Sequence, residues 1–172
     1  MAFNVQNDLG TVSDANAYIT VAEYRAYWAD RNIDTTSQID ATVQGLIVDA
    51  TQYIGQRFEY CGQPLEGRDQ TTSFPRSYLY DSFCNLVTGV PREVKNACAE
   101  YARLSTTTPL SIVVSASDKS IKKESDKVDV LESSKEYAGT KASAGTWGVY
   151  QIADNILTSS GFVHLSTGFG RA

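Results

Sequence analysis

The stretch Ile39–Phe58, IDATVQGLIVDATQYIGQRF, decides the fold. Val43, Leu46, Ile47, Ala50, Tyr53, Ile54 and Phe58 recur with the 3.6-residue period of a helix and make one apolar stripe. A helix of this length is a rod of about 30 Å, and such a stripe needs partners along it. Ser37 and Asp40 supply the chemistry of a helix start. Gly45 and Gly55 cost helix propensity and suit close packing against a neighbouring backbone.

Two further segments offer those partners. Upstream, Thr20 and Glu23 form a capping box that opens a helix from Val21 to about Arg31, with Tyr24, Tyr27 and Trp28 on one face and Asn32 as its stop. Downstream, Pro91 suits a first helical position. Val94, Ala97, Cys98, Tyr101 and Leu104 then form a buried face, and Ser105–Pro109 ends it. Small residues at 97, 98, 99 and 102 allow another helix to approach closely. The predicted core is Val43, Leu46, Ile47, Ala50, Ile54, Val94, Cys98, Tyr101, Tyr24 and Trp28. If Leu46 is fully buried, Leu46→Ala costs about 2–5 kcal/mol.

The rest of the chain is read outward from this bundle. Residues 59–90 form a long connection, rich in glycine and proline, whose aromatics (Tyr60, Phe74, Tyr78, Tyr80, Phe83) must pack on something. Residues 110–145 turn polar. Alternation around Ile121 and again at Val128 and Val130 predicts a β-hairpin over 119–132, turning at Asp126-Lys127. An isolated hairpin is marginal in water, and its open edges need cover. From Trp147 a short helical pattern (Val149, Ile152, Ala153, Ile156, Leu157) leads to Gly161 and an apolar, glycine-rich tail. The fold class is mainly α: a small helical bundle core (1–109), a projecting β-hairpin (110–145) and an extended C-terminal arm (146–172).

Composition excludes several functions. A net charge of −5 and a pI near 4.8 do not suit a protein held on nucleic acid by phosphate neutralisation. No apolar run is long enough to span a bilayer, and the N-terminus lacks a signal peptide, so synthesis in the cytoplasm and no membrane partner are expected. Three cysteines, Cys61, Cys84 and Cys98, are an odd count without metal-ligand spacing. The single histidine, His164, has no acidic or thiol neighbour in sequence. No phosphate loop is present. Glu124, Asp126 and Asp129 do not match a calcium loop and read as a solvated strand surface. The expectation is therefore no catalytic residue, no metal and no cofactor. Aromatics on the connection favour protein–protein contact over base stacking, since no basic groove accompanies them.

Several segments carry a resemblance. Asp14-Ala15-Asn16-Ala17-Tyr18-Ile19-Thr20, Ala29-Asp30-Arg31-Asn32, Asp49-Ala50-Thr51-Gln52-Tyr53-Ile54, Phe74-Pro75-Arg76-Ser77 and Val90-Pro91-Arg92-Glu93-Val94 keep their order and rough spacing across residues 14–104. Together they resemble the head–tail adaptor family of tailed bacteriophages. Some members of that family carry the label of a DnaT-like single-stranded-DNA-binding protein. The resemblance implies a non-enzymatic virion subunit at the head–tail junction, made in the host cytoplasm. It implies a homo-oligomeric ring beneath the portal protein, a dodecamer if it matches the portal, with a tail or neck protein below and DNA passing through unbound. The alternative function is a single-stranded-DNA-binding module.

On this reading Ile121, Val128, Val130, Phe74, Tyr78 and Tyr80 meet neighbouring subunits. Trp147, Tyr150, Ile156, Leu157, Phe162, Val163, Leu165 and Phe169 dock on the portal, and removing residues 160–172 leaves the helical core folded. The competing placement packs this tail back on its own helices.

Overall fold

A computed structural model describes residues 2–110, 124–128, 131–135 and 150–165. Its elements are α1 (Val21–Ala29), α2 (Asp40–Arg57), β1 (Phe58–Tyr60), β2 (Gln63–Pro64), β3 (Arg76–Ser77), α3 (Arg92–Leu104), β4 (Glu124–Val128), β5 (Leu131–Lys135), α4 (Gln151–Thr158) and β6 (Val163–Leu165). The chain divides into two compact units, Ser111–Gly148 and the remainder. The architecture is mainly helical with short antiparallel strand pairs.

In the larger unit α3 is the central helix, packed on α2 along one side and on α4 along another. Its short side chains make this possible: Ala97, Cys98, Ala99 and Ala102 are all buried. Of the ten predicted core residues nine are buried, namely Val43, Ile47, Ala50, Ile54, Val94, Cys98, Tyr101, Tyr24 and Trp28. Leu46 is only half-buried. It lies at the edge of the stripe, while Ile47 and Val48 take the inward positions.

The local signals act as the residues predict at α1. Glu23 N–H donates to Thr20 Oγ1 at 3.1 Å, and the Glu23 carboxylate accepts from Thr20 N–H at 2.7 Å. The helix ends two residues earlier than expected, and Asn32 takes a left-handed φ of 56°. At α2 the start differs from expectation. Ile39 is the N-cap and no side chain caps it. Asp40 instead accepts from Arg25 of α1 at 2.6 Å, so its carboxylate ties two helices together.

The 59–90 connection packs on its own chain. Phe74, fully buried, meets Tyr18, Tyr60 and Phe162 edge to face. Tyr18 Oη accepts from Ser73 N–H at 3.0 Å, and Thr71 Oγ1 donates to the Ala15 carbonyl at 2.7 Å. These bonds fasten the N-terminal segment across the connection. Short strands form where mostly loop is expected: β2 pairs with β3, and β1 pairs with β6 so that Phe58, Glu59 and Tyr60 lie opposite Leu165, His164 and Val163.

The smaller unit contains the expected hairpin in a different register. Glu124 lies opposite Lys135, Asp126 opposite Ser133 and Val128 opposite Leu131. Asp126-Lys127 is therefore inside β4 and not at the turn. A strand pair of mostly polar residues specifies its register weakly, and this one sets Lys127 opposite Glu132. Residues 119–123 of the expected hairpin lie outside the described residues.

Ile47 and Leu46 are neighbours with opposite fates. Ile47→Ala should cost about 2–5 kcal/mol in urea unfolding, and Leu46→Ala clearly less, because only the first opens a fully enclosed cavity.

Candidate interaction surface

The C-terminal segment is seated by a buried polar cluster. Arg57 at the end of α2 donates from Nη2 to Asp154 Oδ2 of α4 at 3.0 Å, with both side chains 8% exposed. Tyr101 of α3 donates its hydroxyl to Asp154 Oδ1. The Tyr150 backbone N–H reaches Oδ2 at 3.2 Å. Tyr53 and Tyr150 stack around Tyr101 with ring centroids 4.9 and 6.0 Å away. One carboxylate thus joins three helices. Sequence reasoning passed over it. The available signal was an acid between the apolar positions Ala153 and Leu157 of an otherwise apolar face.

This cluster decides where the predicted portal-docking residues stand. Leu157, Phe162 and Val163 are 0%, 1% and 3% exposed, buried in the chain's own core. Tyr150 and Ile156 are half-buried. Leu165 holds its register position opposite Phe58. Trp147 and Phe169 lie outside the described residues. Through Val163 the tail therefore packs back on its own body, with β6 paired to β1. Removing residues 160–172 would take Phe162 and Val163 out of the core, so the helical core is no longer expected to be indifferent to that deletion. The reason is Asp154: once its helix is clamped, the following strand is carried onto β1.

The predicted inter-subunit residues also separate. Phe74 is an internal plug, not a contact for a neighbour, because the aromatic-Pro-Arg turn folds inward on Tyr18 and Tyr60. Val128 stands in β4, while Ile121 and Val130 lie outside the described residues. Tyr78 and Tyr80 are 74% and 49% exposed.

With Phe83 and Leu86, 83% and 59% exposed, these two tyrosines make an apolar knob. Leu79, fully buried, anchors it, and Val87 N–H donates to the Leu79 carbonyl at 2.8 Å. The Asp81 carboxylate accepts from the backbone N–H groups of Phe83 and Asn85 and from Asn85 Nδ2, at 2.9, 2.8 and 3.0 Å. The Asn85 bonds above all hold that carboxyl below its ordinary range. Ser82 N–H donates to the Ser160 carbonyl at 3.1 Å. Gly161, at φ 84°, permits this approach, since a Cβ there would stand 2.8 Å from Ser82 N.

A groove lies between α1, α3 and the first turns of α4, about 590 Å³ in volume, lined by Trp28, Arg31, Arg103, Leu104, Ile152 and Ile156 among others. Arg103 stacks on Trp28 at 4.6 Å and Arg31 on Tyr27 at 3.5 Å. Ile152 is 68% exposed. The buried indole N–H of Trp28 has no acceptor among the described residues. Among those residues, too, no three His, Cys, Asp or Glu side chains gather as a metal site. No described helix is long and apolar enough to cross a membrane.

Among the described side chains the cations do not line a track. Arg25 is held by Asp40, Arg57 by Asp154, and Arg76 by the carbonyls of Cys61 and Gly62. Lys95 and Arg92 lie 3.7 Å from Glu23 and Glu93, and Arg31 and Arg103 stack on rings. Among the cations with described side chains, only Arg68 has no such partner.

Asp154→Ala leaves the Arg57 guanidinium buried and unpaired and should cost about 3–5 kcal/mol in denaturant unfolding. A second expectation concerns alkaline pH. Burial raises the phenols of Tyr18 and Tyr101 above the ordinary 10.0, and the bond to Asp154 raises Tyr101 further. The folded state therefore holds these protons where the unfolded chain releases them. Their contribution to stability is complete below about pH 10 and is lost as pH rises beyond it. Phenolate absorbance followed together with the unfolding midpoint should show these tyrosines ionising only as the protein unfolds.

No curated protein and no solved structure matches the chain. A protein-family match covers residues 1–167, nearly the whole sequence. The chain belongs to the family described as "Putative DnaT-like ssDNA binding protein".

Proposed function

We propose that this chain is a structural head–tail adaptor subunit of a tailed bacteriophage, forming a ring beneath the portal and joining capsid to tail. The observation that carries the proposal is the β4–β5 hairpin. It is a two-stranded pair in a unit of its own, and among the described residues no third strand covers either edge. Two strands alone are marginal in water, and open edges recruit strands from other chains. A ring supplies such a neighbour to every copy. The resemblance of residues 14–104 to head–tail adaptors supports the same reading.

The family's description gives the second reading, single-stranded DNA binding. Charge argues against it. Lys119, Lys122, Lys123, Lys127, Lys135 and Lys141 are matched one for one by Asp118, Glu124, Asp126, Asp129, Glu132 and Glu136, so the net −5 falls on the larger unit. There most of the described cations are engaged by carboxylates, carbonyls or rings. Affinity for a polyanion comes largely from unengaged cations releasing counterions. A ring of such subunits would surround passing DNA with negative potential and keep it from adhering.

Two measurements separate the readings. Native mass spectrometry of the full chain mixed with its portal protein should show a ring of the portal's symmetry, with no catalytic turnover required of it. Fluorescence anisotropy with a single-stranded oligonucleotide should show weak binding at physiological salt. Micromolar or tighter binding that collapses steeply with added salt, without portal attachment, would replace the adaptor with the DNA-binding module.

A further inference from the structure

We infer that the knob of one copy, Tyr78, Tyr80, Phe83 and Leu86, seats in the α1–α3–α4 groove of the next copy, making a head-to-tail contact. The inference deepens the ring reading and rests on it, by naming the surfaces through which the subunits meet.

Three observations carry it. First, the knob is braced. Asp81 ties off the loop, Leu79 is buried beneath it, and Ser82 is bonded to the Ser160 carbonyl. Its rings therefore stand exposed on a fixed support, and little ordering remains to be done on contact. Second, the knob brings apolar area. Aromatic side chains bury about 150–250 Å² each, so three of them at these exposures bring on the order of 500 Å². A standard interface needs roughly 800 Å² per partner, and the knob supplies its apolar centre.

Third, the charges agree. Residues 78–86 carry one charged group, Asp81, and no cation. The groove carries Arg31 and Arg103 against the single acid Glu100, which accepts from Tyr27 Oη at 2.7 Å and lies 4.0 Å from Arg31, so its net charge is positive where that of the knob is negative.

Knob and groove are different surfaces. The knob is fastened to the turn after α4 through Ser160, whereas Ile152 and Ile156 of α4 line the groove. A contact between unlike surfaces is heterologous. Repeated with a rotation that closes, it yields a ring, whereas a self-complementary patch stops at a dimer.

The test uses the full-length chain, alone and with portal. One variant carries Tyr78→Ala and Phe83→Ala, and a second carries Ile152→Glu. All three side chains are exposed, and circular dichroism verifies that both variants fold. Sedimentation should show self-association weakened about thirtyfold or more in each, as for hot-spot residues. An equimolar mixture of the two should form a dimer and nothing larger, since one intact knob meets one intact groove. Unchanged association in either variant overturns the inference, as does a wild-type chain that never pairs with itself on or off the portal. If the portal still collects both variants as complete rings, the ring reading stands and this contact falls. If the portal collects no wild-type chain and single-stranded DNA is bound instead, the ring reading itself falls.

Discussion

The Asp154 carboxylate is the constraint on which the larger unit depends. It takes a guanidinium from α2, a phenol from α3 and a backbone N–H from the start of its own helix. A buried charge is tolerated only when its lone pairs are met, and here the partners come from three separate helical segments. Replacing such an ion pair with apolar groups of similar volume is often neutral in other proteins, so its value here lies in address more than in strength. It tells α4 where on α3 to sit. Once α4 is placed, Phe162 and Val163 enter the core and β6 meets β1.

That placement also shapes the outer surface. The turn after α4 delivers Ser160 and Gly161 to the 78–86 loop, which leans on them through Ser82. Exposed aromatics on a loop ordinarily suggest loose packing. Here the loop is bound from inside by Leu79 and from below by the C-terminal segment, so apolar side chains stand in solvent on a supported base. A patch of that kind is the ordinary mark of a protein–protein surface.

The two units differ in what holds them. The larger has a packed helical core and carries the acidic excess. In the smaller, the described strands are paired mainly through polar positions, and equal numbers of lysines and acids cancel. The proposed adaptor role draws on that division, since a nucleic-acid grip gathers free cations along one face.

The helices and their apolar faces were legible from residues alone. The 3.6-residue period of Val43, Ile47, Ala50 and Ile54, the capping box at Thr20 and Glu23, and the proline before α3 are local chemistry, complete within a few residues. So was the existence of the hairpin, though not its register, because polar alternation gives a slipped pairing little penalty. Sequence places Phe74 and the tail outward because apolar residues among glycines show no period, and only a spatial partner says which way they face. Tyr18 and Tyr60 turn Phe74 inward, and Arg57, ninety-seven residues from Asp154, turns the tail inward. Sequence by itself determined which segments are helical and which of their faces are apolar. Tertiary structure alone decided what those faces and the segments between them cover, since burial of a charge or a lone ring depends on groups far away along the chain.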